Sequence, residues 1–97
     1  MISIDKGISF VKFSAGWCAP CKTLAKTIVI IEPEFSDVNF QEVDIDEASE
    51  LTKEYGIRSV PTVILFKDGE EITRLVGNQK ADTLRKALES VAEEQAA

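Results

Sequence analysis

Two cysteines, Cys18 and Cys21, stand three positions apart between Trp17 and Lys22, and the sequence contains no others. A pair at this spacing can exchange electrons with a disulfide, a chemistry in which the thiolate is the reactive species. A helix N-terminus favours that thiolate, because its first N–H groups lack helical partners and carry partial positive charge. The stretch beginning at Cys18 follows an apolar run, and Pro20 suits a first helical turn, where its missing N–H has no partner to lose. The spacing lets the Cys18 sulfur lie exposed at the helix start, with that of Cys21 within disulfide reach behind it. Lys22 adds positive potential nearby.

Other uses of the pair compete with this one. Free cysteines are often buried and inert. A zinc site needs about four ligands, and the sequence has no histidine and no third cysteine, so no metal site is expected. A purely structural disulfide gains little from so short a loop. Redox exchange is the reading favoured.

The flanking elements must hold that pair in place. Ile8 to Phe13 is an apolar run broken by Ser9 and Lys12, suited to a buried strand. From Cys18 to about Glu32, a helix carries Leu24, Ile28 and Ile31 on one face, and Pro33 marks its end. Val38 to Ile45 alternates around Phe40, Val43 and Ile45 as a second strand. Asp44 or Asp46 is placed to cap a short helix bearing Ala48, Leu51 and Tyr55, with Gly56 at its C-terminus. Thr62 to Phe66 and Ile72 to Val76 form a hairpin about Lys67-Asp68-Gly69-Glu70. A last helix starts near Lys80, with Leu84, Ala87, Leu88 and Val91 on its apolar face. The order predicts an α/β architecture: a parallel strand pair with a right-handed crossover, extended by an antiparallel hairpin, with helices on both faces.

The 97 residues suit a single domain spanning 1–97, with Glu93–Ala97 as a frayed tail. Seventeen acidic residues against 11 basic ones give a net charge of -6, with no basic patch of the kind that binds nucleic acid. No apolar run approaches the ~20 residues of a membrane span, and no signal-peptide pattern stands at the start. A reducing cytoplasm is the expected compartment.

These motifs together resemble the thioredoxin family. Trp17-Cys18-Ala19-Pro20-Cys21-Lys22 is similar to the family's Trp-Cys-Gly-Pro-Cys-Lys, with Ala19 in the glycine's place. Tyr55-Gly56-Ile57-Arg58-Ser59-Val60-Pro61-Thr62 resembles the segment carrying the family's cis-proline, Phe66-Lys67-Asp68-Gly69 its hairpin, and Val76-Gly77 the glycine beside its active site. The resemblance implies a thioredoxin-like fold, a mixed four-stranded sheet flanked by helices on both faces. It implies that Cys18 attacks a substrate disulfide and that Cys21 resolves the mixed disulfide, leaving Cys18–Cys21 oxidised. Trp17, Ile57, Val60 and Gly77 would line the docking groove, with Ala19, Pro20 and Pro61 beside them. The Val60 backbone, turned outward by a cis Pro61, would pair with the substrate chain. No cofactor beyond the redox disulfide is implied. The partners would be protein disulfides and a thioredoxin reductase-like electron donor, with the chain itself a monomer. Neither Ala19 nor Pro20 carries a cation, which favours a reductant over an oxidant.

The sequence departs from the family pattern in three ways. Only about seven residues precede Ile8, too few for the family's leading strand and crossover helix. A four-stranded sheet is therefore predicted, with the strand over 38–45 at its edge and Ile2 and Ile4 touching it. Lys12 stands where the family has a buried Asp, and Glu42 where it has a nearby Lys, which predicts an exchanged, buried charge pair. Glu42 or Lys12 would then take over the proton at Cys21. Lys26 replaces a proline common in the middle of the family's active-site helix, predicting an uninterrupted helix, and Val29 and Ile30 are expected to be partly exposed. A glutaredoxin-like reductant and a non-catalytic accessory or binding subunit are the alternative functions.

Overall fold

A computed structural model describes residues 2–94. Its elements are β1 (Ile8–Ser14), α1 (Ala19–Ile31), a 3-10 turn (Glu32–Glu34), β2 (Val38–Asp44), α2 (Ser49–Glu54), β3 (Thr62–Lys67), β4 (Glu70–Val76) and α3 (Ala81–Glu93). The sheet order is β2-β1-β3-β4. β1 runs parallel to β2 and antiparallel to β3, and β3 and β4 are antiparallel. This is the mixed four-stranded sheet predicted, with β2 at an edge.

Alternation along the strands divides the core. Phe10, Val63 and Leu65 face α1 and α3, where Leu24, Ile31, Leu84, Leu88 and Val91 close one cluster. Val11, Phe13, Val43, Ile64 and Phe66 face the other way, and Ala48, Leu51 and Tyr55 of the α2 region pack on them. The helical stripes read from the sequence are thus the faces that bury. Helix α1 runs unbroken through Lys26 to Ile31, and Pro33 lies in the 3-10 turn that ends it.

Ile2 and Ile4 pack against the second cluster. Between them, Ser3 ties the segment down: its N–H donates to Gln41 Oε1 at 2.8 Å, and its carbonyl accepts from Gln41 Nε2 (2.7 Å), Asn39 Nδ2 (3.2 Å) and Ser9 Oγ (3.4 Å). The polar side chains of the edge strand therefore hold the N-terminal segment across the sheet.

Turn chemistry fixes the hairpin. Asp68 and Gly69 both have positive φ, 50° and 89°, the paired geometry of a type I′ turn whose twist matches its strands. Gly7 N–H donates to Asp68 Oδ1 at 2.8 Å, and Asp68 N–H returns a bond to the Gly7 carbonyl at 2.9 Å, anchoring the hairpin tip to the start of β1. One detail differs from the sequence reading: neither Asp44 nor Asp46 caps α2, whose N-cap position is Ala48. Asp44 instead shapes the preceding turn, its Oδ1 accepting the Asp46 N–H at 2.8 Å. Of the tail expected to fray, Glu93 ends α3, Lys67 Nζ reaches the Glu94 carbonyl, and residues 95–97 lie outside those described.

Burial on α1 gives a testable contrast. Leu24 is fully buried, whereas Val29 is 69% exposed. Leu24→Ala should cost about 2–5 kcal/mol in urea unfolding, through lost transfer energy and a cavity. Val29→Ala should stay within about 0.5 kcal/mol.

Candidate active site

The C-terminal end of β1 delivers the cysteine pair. Directly after Ser14 the chain turns back, as Cys18 N–H donates to the Ala15 carbonyl at 3.1 Å. Cys18 is extended (φ -94°, ψ 106°) and occupies the N-cap of α1, with its Sγ accepting the Cys21 N–H at 3.1 Å. The sulfur thus takes the place that a serine or aspartate oxygen fills at other helix starts. No acidic residue lies in the first turn to oppose the positive end of the helix. Cys18 and Cys21 are joined as a disulfide, with Cα atoms 5.3 Å apart.

The predicted exposure of the Cys18 sulfur is not what the structure has. Cys18 is only 4% exposed and Cys21 3%. The capping bond folds the Cys18 side chain back onto the helix, and Ala15, Ile45 and Val60 pack around the pair.

The surroundings sort the other predicted site residues. Ala19 and Pro20 are exposed beside the disulfide. Val60 packs on it, and the Val60–Pro61 peptide is cis. The Pro61 carbonyl accepts the Gly77 N–H at 2.8 Å, holding the end of β4 against this loop. Trp17 is 69% exposed, and its Nε1–H donates to Asp46 Oδ2 at 2.9 Å. Ile57 is half-buried and packs one side against the core cluster under α2. Sequence reasoning missed one member. Asp46 has no local mark of its role, because its partner lies 29 positions away. Val76, which stands next to Gly77, is an apolar side chain left 58% exposed.

Lys12 and Glu42 meet in the register of β1 against β2, with Lys12 Nζ 2.8 Å from Glu42 Oε2. Ser14 Oγ donates to the same oxygen at 3.0 Å. The pair is not buried as a unit: the Lys12 side chain is 8% exposed but that of Glu42 60%. Position 42 lies on an edge strand, so its carboxylate reaches water while the lysine stays inside. Both residues line a recess of about 460 Å³ together with Ser14, Cys21 and Ala25.

The hydrogen bond from Lys12, helped by that from Ser14, holds the Glu42 carboxyl below its usual 4.5 against the opposing effect of burial. An unfolded chain would take up that proton at higher pH. The contribution to stability is therefore complete above about pH 4.5 and is lost as pH falls through the lowered value. Glu42→Gln should accordingly lose less stability than the parent chain between about pH 6 and about pH 3. The difference should stay within the ~0–1 kcal/mol of solvent-exposed pairs. Denaturant midpoints at the two pH values measure it, and equal acid sensitivity of both chains would reject it.

Among the described residues no group of three or more His, Cys, Asp or Glu stands together as a metal site. A sequence model of the family described as Thioredoxin matches residues 1–90. The thioredoxin of Chlamydia caviae is 42% identical over 81 residues, which cover 84% of this chain and 79% of that protein. Thioredoxin-2 of Saccharomyces cerevisiae is 39% identical over 80 residues, covering 82% and 76%. Among solved structures, a mutant thioredoxin from Halobacterium salinarum superposes with a TM-score of 0.84 at 36% identity, covering 96% of this chain and 81% of its own. A thioredoxin from Nicotiana alata gives 0.82 at 35%, covering 88% and 73%. Sequence and fold agree, and the chain belongs to the thioredoxin family of thiol–disulfide oxidoreductases.

Proposed function

We propose that Cys18 attacks the disulfide of a protein substrate and that Cys21 resolves the product. The observation that carries this assignment is the Cys21 N–H aimed at the Cys18 sulfur across the N-cap. In the reduced chain that donor and the helix end favour a thiolate at Cys18. The Cys18 thiolate bonds to one substrate sulfur and expels the other as a thiolate. Cys21 then gives up its proton to Glu42, across the recess they share, and attacks the Cys18 sulfur. The Cys18–substrate bond breaks, the second substrate thiolate leaves, and two electrons have passed from the dithiol to the substrate. The exposed Trp17, Ala19 and Pro20, with the half-buried Ile57, Val60 and Gly77, form the surface on which the substrate chain docks, and the buried cis Pro61 shapes the backbone beneath it. The chain works as a monomeric single domain in a reducing cytoplasm, re-reduced by a thioredoxin reductase-like donor.

Turnover of a model protein disulfide, with a small dithiol as electron source, tests the assignment. Cys18→Ser should abolish turnover, and Cys21→Ser should trap a mixed disulfide visible by mass spectrometry. Turnover surviving in Cys18→Ser sinks the assignment and favours a binding role. Glu42→Gln should slow resolution more than attack, towards the ~100-fold that a general base contributes. Single-turnover kinetics separate the steps, and equal slowing of both would count against Glu42 as proton acceptor.

A further inference from the structure

Among the described residues Lys12 is the only charged residue that is buried. It lines the recess that Cys21 also lines, and among the described residues its one ion-pair partner is the mostly exposed Glu42. The other charged groups of that recess are Lys22 and Glu47, both exposed, and the half-buried Asp44, whose Oδ1 is engaged by the Asp46 N–H. Water screens the outer charges far more than the inner one. The charge of that recess least screened by water is therefore the Lys12 ammonium.

We infer that Lys12 is a positioning residue that raises the reduction potential of the Cys18–Cys21 couple. The inference rests on the redox reading of this pair given above. Reduction adds two electrons and, at neutral pH, up to two protons to a neutral disulfide, and only the reduced form carries an anionic sulfur. A buried ammonium lowers the energy of that anion and leaves the disulfide almost unaffected, so the reduced form is favoured. Glu42 partly cancels this field, and removing it should act in the opposite direction from removing Lys12.

The experiment equilibrates the chain with glutathione at defined ratios of its reduced and oxidised forms, and reads the fraction oxidised. Lys12→Met should shift the equilibrium constant at least about threefold, towards about tenfold (~30 mV), in favour of the disulfide. Glu42→Gln should shift it the other way. The inference is overturned by a Lys12→Met shift smaller than threefold or towards the dithiol, and equally by both variants moving in the same direction, as general loosening would cause. If Lys12→Met does not fold, Glu42→Gln decides: a shift towards the dithiol supports the inference, and any other result overturns it. This equilibrium needs no protein substrate. Failure of the assigned attack order in the Cys18→Ser assay therefore leaves it readable, and failure here leaves that assay intact.

Discussion

The end of β1 is the constraint on which the site depends. That strand sits between β2 and β3, buried on both faces, and its last residue stands only four positions before Cys18. So short a connection leaves the sulfurs little freedom once the strand is in register. The N-cap then does two tasks with one atom: the Cys18 sulfur closes the first turn of α1 and is itself placed at the positive end of that helix. Residues from two other parts of the chain complete the surface. The loop before β3 contributes Val60 and the cis Pro61, and the hydrogen bond from Gly77 to Pro61 joins the end of β4 to it.

The burial of Lys12 is a product of the same sheet. Position 12 falls on a central strand and position 42 on an edge strand, so identical register gives the two charges unequal contact with water. A buried ion pair is weak support for stability, because desolvation offsets much of its attraction. The half-exposed arrangement lowers that penalty on one partner only. What it creates is a directed field, which sets it against the neutral Ala19-Pro20 pair between the cysteines. The absence of a cation between the sulfurs favours a strong reductant, while the one behind them pulls the other way.

Much of this could be read from the sequence where the signal is local. The apolar run from Ile8 to Phe13 marked a buried strand, Asp68-Gly69 marked a hairpin turn, and the stripes of α1 and α3 gave the buried sides. The Lys12–Glu42 contact was also legible, but only by setting two departures from the family pattern side by side. What escaped has no short-range mark. The hydrogen bond from Trp17 to Asp46 and the hold of Asn39 and Gln41 on Ser3 join residues 29 to 38 positions apart. The low exposure of Cys18 escaped for another reason: it follows from the bonds that tie its sulfur to Cys21 and from the packing of Ala15, Ile45 and Val60, which spacing alone does not specify.

The placement of β1 also bears on how the molecule is assembled in time. Ile8 lies opposite Val38 on one side and Lys67 on the other. The first of the four strands in the chain is therefore an inner strand of the sheet, and its two flanks are filled by segments that follow much later. Each pairing closes a long loop, and folds built from such distant contacts form more slowly than those built from neighbours. A nascent chain emerging from the ribosome must carry Phe10, Val11 and Phe13 without sheet partners until β2 appears, and with one flank still open until β3 has followed.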